Sequence, residues 1–576
     1  MPPTRSKTTL VRYAPLVIAL LAVAVCLGAL RNGFTFDDLH IVVGNPLVTG
    51  EGGLRPIFAS HYWAAEDAHG DLYRPLTVAS YWLNYRVSGN RPFLYHLVNL
   101  LLHGLVTWLV CRLFLRLASN LPDGDRLVSP EVVALAGASF FAVHPVHVEA
   151  VVSTVGRAEL LAALFVILAW LARGRTWVAL PLFVCGLLSK ENAVVLPGLL
   201  FVEDLFAGKV RQRWRAYLPY VGAIAIFLLV RVMVLGPAIG SVEGPFTSTP
   251  AWQRILTATD VLGRYIRLMF WPMHLSADYS YDEIPVITSF AEPRFLAGAA
   301  TAILAVGLAW SVRRALPLAT MGAALFFVAL SPVSNFPFGI GVMMAERLLY
   351  LPTLGFCLAA GAVSAWVPRL AGRTRAAAMA VLAAVLILFA TRSAVRTNDW
   401  FDQLTLFEAT VRTSPRSALA HVSLGTLYQA AGRIQEAEAA YRRSIAIAPD
   451  RPGPHYNLAT LLEGLGRRRE AIELYREAAR IDPDDFRTLN NLGRALVAEG
   501  AAAEAVPLLE KAAALRPGMP GPSVNLAAAH LALGDPWNAE RILKDVLAAH
   551  PDDAGAQRIM SAILSRKQES KSRERL

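Results

Sequence analysis

Charged side chains are scarce in this chain. Asp, Glu, Lys and Arg make up 17% of its 576 residues, against about 25% in a soluble domain. Cysteine is scarcer still. Cys26, Cys111, Cys185 and Cys357 each sit inside an apolar run, and none forms a CxxC. That excludes a disulfide scaffold and leaves no zinc-ribbon or dithiol redox motif. No Walker A sequence, no GxSxG elbow and no HExxH motif occurs. The glycines at Gly50–Gly53 and Gly339–Gly341 lack the spacing of a phosphate loop. Hydrophobic residues reach 55% and mean hydropathy is +0.42, which excludes disorder and an all-soluble enzyme.

The apolar excess is uneven. Residues 1–391 hold nearly all the long apolar runs, and residues 400–576 read as a water-soluble helical domain. The predicted fold is all-α: a polytopic membrane domain followed by a repeat superhelix. Apolar stretches near 14–30, 94–116, 132–150, 158–172, 177–189, 193–207, 216–235, 295–311, 315–331, 348–367 and 376–391 suggest about eleven spans. Ala14–Leu30 follows a basic start (Arg5, Lys7, Arg12) but no small-x-small cleavage site comes after it, so it reads as a retained first helix. The net charge of +11 is explained by basic loops rather than nucleic-acid binding. Arg112/Arg116/Arg126, Arg173/Arg175, Lys209/Arg211/Arg213/Arg215, Arg313/Arg314 and Arg369/Arg373/Arg375 fall in alternate loops. The positive-inside rule makes those loops cytoplasmic, and an odd span count then puts the C-terminal domain outside.

The soluble half repeats every 34 residues. Pro415, Pro449, Pro483, Pro517 and Pro551 keep that step, as do Gly432, Gly466, Gly500 and Gly534, and Ala437, Ala471, Ala505 and Ala539. This is the tetratricopeptide pattern of paired antiparallel helices. The expected layout is a membrane domain over 1–391, a linker and half repeat over 392–415, about four repeats over 416–562 and a charged, disordered tail over 563–576. Stacked units of this type form a groove that suits a protein or peptide partner. Asn457, Asn491 and Asn525 share one helix register with Ser423. Each amide offers one donor and one acceptor side, so the three are candidates for binding an acceptor peptide backbone.

Ionisable residues gather at the ends of spans that the charge rule places outside. They are Asp37 and Asp38 after span one; His144, His147 and Glu149 after span three; Arg157 and Glu159 opening span four; Lys190 and Glu191 after span five; and Glu346 and Arg347 before span ten. Charge at a membrane boundary is costly and marks a site by default. An ionised acid near a hydroxyl can act as general base, which points to Asp37 or Asp38. Arg157, Lys190 and Arg347 are candidates to hold a phosphate. Together they suit attack on a sugar carried by a lipid phosphate. No cofactor is predicted. His144 and His147 are residue types that ligate metal, but two histidines three apart are common by chance and no metal site is indicated.

The stretches NGFTFDDLHIVVGNPLV, YRPLTVASYWLNY, FAVHPVHVEAVVSTVGRAELLAALF, LLSKENAVVLPGLL, RLMFWPMHLSADYSYD and SNFPFGIGVMMAERLLYLPTLGFCL resemble those of the transmembrane and tetratricopeptide-repeat-containing proteins. The resemblance runs through nearly the whole chain. It implies the C-type glycosyltransferase fold and transfer of mannose from a polyprenyl-phosphate donor to Ser or Thr of a protein. It assigns Asp37 and Asp38 to the acidic pair of the first external loop, with Asp37 the better base. Arg74, His144, His147, Glu149, Arg157, Glu159, Lys190, Glu191, Glu346 and Arg347 fall in family motifs without fixed roles. The Ala- and Arg-rich composition and short loops read as bacterial, which implies an inner-membrane protein with periplasmic repeats; in a eukaryote the repeats would be in the lumen of the endoplasmic reticulum. Two other functions fit parts of the sequence: a membrane-anchored repeat scaffold without catalysis, and a transferase acting on lipid or polysaccharide.

Overall fold

The computed structural model describes residues 5–63, 72–121, 128–236, 246–247, 249–280 and 282–574. Arg126, named above among the cytoplasmic charges, lies outside them. The chain divides into two units, Met1–Pro415 and Arg416–Leu576. Both are helical, and no β-strand occurs among the described residues.

The main helices of the first unit are α1 Arg5–Val25, α2 Pro75–Ser88, α3 Pro92–Ser119, α4 Pro130–Val143, α5 Arg157–Leu171, α6 Thr176–Ser189, α7 Leu196–Phe206, α8 Leu218–Leu235, α9 Ala251–Phe270, α10 Pro293–Ser311, α11 Pro317–Leu330, α12 Thr353–Ser364, α13 Gly372–Asp399 and α14 Gln403–Thr413. Many open on proline, whose fixed φ and missing N–H suit a first turn. Each of the eleven apolar runs contains one of these helices. Their lengths differ from the expectation of eleven full spans. Among the described residues, five helices are long and apolar enough to cross a membrane, or six if the bent pair Pro130–Val143 and Pro145–Val152 counts as one. At about 1.5 Å per residue, α7 and α12 fall well short of a hydrocarbon core about 30 Å thick.

The short helices are packed by glycine. Gly322 of α11 and Gly355 of α12 touch backbone to backbone, and Gly361 of α12 lies against Val133 and Gly137 of α4. Without a hydrophobic drive between helices in lipid, such close approach is what holds them. The apolar window of Thr154–Leu171 is 83% buried, whereas those of α10 and α13 are only 6% and 11% buried. The former is central, and the latter two leave most of their apolar side chains exposed.

Two helices arise where the hydropathy reading placed loops. These are α2 and α9, inside the expected external stretches 31–93 and 236–294. Helix α9 buries Leu256, Val261, Tyr265 and Leu268 together with Asp260, while Arg254, Arg264 and Arg267 remain partly or fully exposed. Its amphipathic period is helical, but its mean hydropathy is too low for a span.

One end of the unit is tied by acids. Glu203 accepts from Arg173 at 2.6 Å and from the Trp170 ring N–H at 2.7 Å. Asp204 takes Arg213 at 2.9 Å and the Tyr217 hydroxyl at 2.7 Å, and also pairs with Arg173. Arg116 lies 3.5 Å from Glu203. Three of the basic loops thus meet at one end, as their charge alternation implied.

The second unit is a stack of helix pairs: Ala418–Ala430 with Ile434–Ile447, Pro452–Gly464 with Arg468–Ile481, Phe486–Ala498 with Ala502–Leu515, and Pro520–Ala532 with Pro536–Ala549. Between the members of each pair, Gly432, Gly466, Gly500 and Gly534 have φ of +73°, +78°, +88° and +77°, a conformation that costs glycine nothing. Ala437, Ala471, Ala505 and Ala539 are fully buried, so the second helix packs closely on the first. The final helix runs Ala554–Glu574, through most of the segment expected to be a disordered tail. Its Lys, Arg, Gln and Glu are good helix formers, and Lys567 pairs with Glu540 of the helix before it.

Candidate active site

The acidic pair lies just beyond α1. Asn32 donates to the Thr397 carbonyl at 3.1 Å, and the Gly33 N–H donates to the Phe401 carbonyl at 2.8 Å. Phe36 then takes a φ of +52°. A left-handed conformation costs a bulky residue about 1–2 kcal/mol, and such strain clusters at functional positions. It sends Asp37 and Asp38 in different directions.

Asp38 is fully buried and locked. Its Oδ1 accepts from the Val155 N–H at 2.9 Å and the Ser153 hydroxyl at 3.3 Å, and its Oδ2 accepts from the Thr35 N–H at 3.2 Å. Asp37 is different. Its side chain keeps 25% of its surface open, and its one ion pair among the described residues is with Arg347 Nη2 at 4.0 Å. Among the described residues, no hydrogen bond reaches its carboxylate. Burial raises its pKa above the usual carboxylate range, while Arg347 opposes the rise and Glu149 adds to it.

Arg347 connects Asp37 to a second acid. Its guanidinium pairs with Glu149 Oε1, and its own N–H donates to Glu149 Oε2 at 2.9 Å. Glu149 is buried, whereas the arginine side chain is 21% exposed. Two further pairs stand nearby in the same electrostatic environment. Lys190 pairs with Glu159, whose other oxygen accepts from Asn192 at 2.8 Å. Arg74 makes a two-pronged bond to Glu191, with both arms at 2.8 Å, and stacks on Tyr62. Arg74 holds Glu191 down at about 2 despite the opposing burial.

The structure thus brings together Asp37, Arg74, Glu149, Glu159, Lys190, Glu191 and Arg347. It places Arg157 elsewhere, which corrects its expected role as a phosphate ligand. Arg157 is fully buried, lies between the rings of Tyr81 and Tyr95, and among the described residues donates only to neutral acceptors: Asn99, Asn84, Ser80 and the Tyr95 carbonyl. No donor faces an open surface. His144 and His147 are also enclosed. His144 meets the Met269 carbonyl at 3.1 Å; His147 meets the Phe141 carbonyl at 2.9 Å and the Thr353 hydroxyl at 2.6 Å. They belong to an aromatic core with Phe141, Tyr350 and Phe389. Among the described residues, no group of three His, Cys, Asp or Glu is placed to hold a metal ion.

Glu346 turns away from Arg347. It accepts from the Tyr279 hydroxyl at 2.7 Å and the Ser276 N–H at 2.5 Å, and lies 3.8 Å from Arg396 near the end of α13. Burial pushes it up to about 7, against the pull of Arg396. The sequence reading missed Arg396, Tyr279 and Asn99. Arg396 had a signal, being a charge at the end of an apolar helix. In the repeat unit, Asn457, Asn491 and Asn525 are half-buried. Asn491 donates to the Tyr456 hydroxyl at 3.0 Å, and Asn525 donates to Asn490 at 2.8 Å.

Asp38 gives a test by pH. Burial raises it to about 6 although three neutral donors oppose the rise, against about 3.9 in the unfolded chain. Between those values the folded state binds more protons, so stability falls as pH rises from about 4 to about 6. The two-unit shift corresponds to about 3 kcal/mol. Asp38→Asn removes this slope, and thermal melting of wild type and variant from pH 4 to 7 checks it. Parallel curves would contradict the assignment.

A family model described as Protein O-mannosyl-transferase TMTC, DUF1736, matches residues 236–306. Tetratricopeptide models match 416–484, 456–520 and 496–563. By these matches the chain is similar to the transmembrane and tetratricopeptide-repeat-containing proteins. It is 28% identical over 449 residues to Protein O-mannosyl-transferase F38B6.6 of Caenorhabditis elegans, covering 75% of this chain and 62% of that one. It is 29% identical over 481 residues to Protein O-mannosyl-transferase TMTC4 of Homo sapiens, covering 72% and 63%. The chain spans about three fifths of the length of these curated relatives. Among solved structures, a tetratricopeptide protein, YrrB, aligns with 32% of this chain and 89% of its own, at 18% identity and a TM-score of 0.26.

Proposed function

We propose that this protein is a membrane glycosyltransferase, moving a mannose-like sugar from a polyprenyl-phosphate lipid to a hydroxyl of a protein. The observation that carries the reading is Asp37. Of the acids brought together here, Glu149, Glu159 and Glu191 each make a close pair with a cation, whereas among the described residues Asp37 has only a 4.0 Å contact to Arg347. An acid in that state is free to take a proton. The acceptor oxygen bonds to the anomeric carbon as its proton passes to Asp37. The bond from that carbon to the lipid-phosphate oxygen breaks, and the phosphate leaves with the electron pair. Arg347 is the cation nearest the base, and its planar fork suits that phosphate. Lys190 and Arg74, like Arg347, are each paired with a glutamate. The relatives' names, which specify O-mannosyl transfer, support the sugar and the protein acceptor. The repeats supply the acceptor groove, with Asn457, Asn491 and Asn525 along one register.

The deciding experiment incubates purified protein with labelled polyprenyl-phosphate sugars and a secretory protein or peptide. Transfer of label to protein supports the reading. Label passing only to lipid or polysaccharide, or to nothing, would defeat it.

Orientation is tested separately. The basic loops place their end of the unit in the cytoplasm and the repeats in the periplasm, or in the lumen of the endoplasmic reticulum in a eukaryote. Reporter fusions after Arg215 and Arg375 are expected to read cytoplasmic, and one after Pro449 external. A cytoplasmic signal from the repeats would sink the external site along with the topology.

A further inference from the structure

Among the described residues no carboxylate pairs with the buried Arg157 guanidinium, and taking such a cation out of water costs several kcal/mol. Its neighbours suggest what it holds in place. It opens α5, and its Nε donates to Asn99 Oδ1 of α3 at 2.9 Å. Its other nitrogens fix α2 through the Ser80 carbonyl at 3.2 Å and Asn84, and α3 again through the Tyr95 carbonyl at 2.9 Å. With its oxygen committed to Arg157, Asn99 points its amide at one turn. Nδ2 donates to the Ser153 carbonyl at 2.9 Å, with those of Val151 and Thr154 at 3.3 and 3.4 Å. The same turn then grips Asp38 through the Ser153 hydroxyl and the Val155 N–H. Asp38 adjoins Asp37, whose carbonyl accepts from His40 and Ile41 as the next helical turn begins.

We infer that Asn99 and Arg157 are positioning residues for Asp37, acting through the turn Val151–Val155 and the buried Asp38. This rests on the reading of Asp37 as the base. The guanidinium fixes which way the Asn99 amide faces. The amide fixes the turn, and the turn holds Asp38 and with it the strained Phe36–Asp37 backbone. A displacement of about 1 Å at a reacting group can cost about a hundredfold in rate, so a relay of this kind has a measurable effect.

Asn99→Asp separates positioning from simple packing. The carboxylate has the same shape and would pair with Arg157, so if Asn99 serves only to satisfy that cation, the variant is tolerated. If Asn99 holds the turn, the variant fails, because a carboxylate cannot donate to the three carbonyls. With a short-chain polyprenyl-phosphate mannose as donor, kcat is expected to fall about 10- to 100-fold while donor KM stays within about twofold and thermal melting is kept. Amide exchange is expected to quicken over residues 34–44 and 151–156. Unchanged exchange there, or full kcat, would overturn the inference. Should Asn99→Asp fail to fold, Ser153→Ala decides: it removes one bond to Asp38, and the same pattern is expected at smaller size. Full activity in Asp37→Asn, or no transfer by wild type, would defeat the catalytic reading instead, and the exchange measurement would still judge the relay.

Discussion

Asp37→Asn is expected to lower sugar transfer by a factor of about 10² to 10⁴, the range for loss of a general base, with insertion and melting temperature preserved. The amide has the volume of the carboxylate and cannot accept the acceptor's proton. Stability is expected to hold because the wild-type carboxylate accepts no hydrogen bond among the described residues and lies 4.0 Å from its cation. Burial already disfavours its charge, so neutralising it removes a cost. Asp38→Asn is the contrast. Asp38 accepts three donors through both oxygens, and an amide nitrogen turned toward any of them leaves a buried donor unpaired, at about 1–3 kcal/mol. That variant should lose activity, and its stability loss against wild type should be largest near pH 4, where the wild-type carboxyl is still protonated and carries no ionisation cost. Activity after mixing purified variant with labelled donor, alongside a melting curve, separates the two. A fully active Asp37→Asn would leave the site, among the described residues, without an acid free of a close cation, since Glu149, Glu159 and Glu191 are each paired.

The parts of this molecule legible in sequence are those encoded locally. Apolar runs fall on helices because a helix in lipid must satisfy its own backbone, and the 34-residue step of glycine and alanine reappears as positive φ and buried contacts. Asp37 stands out in sequence as a candidate because it follows an apolar run directly. What sequence left ambiguous depends on distant partners. Arg157 and Arg347 look alike as cations at span ends. Arg157 is enclosed by Ser80, Asn84, Tyr95 and Asn99, which lie 58 to 77 positions away. Arg347 meets Glu149 from 198 positions away and remains partly open. Nothing near either residue in the chain separates a cation that braces helices from one that faces a ligand. The number of true spans was hidden for a related reason. Whether a run of about 12 apolar residues crosses lipid or is enclosed by other helices depends on the neighbours it finds, such as Gly322 against Gly355.

Arg347→Ala is expected to have the second large effect, and its size comes from two sources that must be separated. The first is structural. Glu149 is buried and its two oxygens are held by the Arg347 side chain and backbone N–H. Removing the guanidinium leaves a buried carboxylate half-paired, a loss of about 3–5 kcal/mol. The second is the proposed contact to the donor phosphate. A melting curve of Arg347→Ala alone would show early unfolding under either role. The double variant Arg347→Ala with Glu149→Gln removes the stranded charge, so most of the melting temperature is expected to return. Added polyprenyl-phosphate donor stabilises the wild type in proportion to RT ln(1 + [L]/Kd), and the double variant is expected to show no such gain. Arg347→Lys is expected to keep Glu149 paired while recovering only part of the donor stabilisation, because an ammonium replaces a two-pronged contact with a single point of charge. If the double variant regains its melting temperature and still gains stability from donor, Arg347 serves only to hold Glu149. The phosphate must then be met by Lys190 or Arg74, each of which would have to release its own glutamate first.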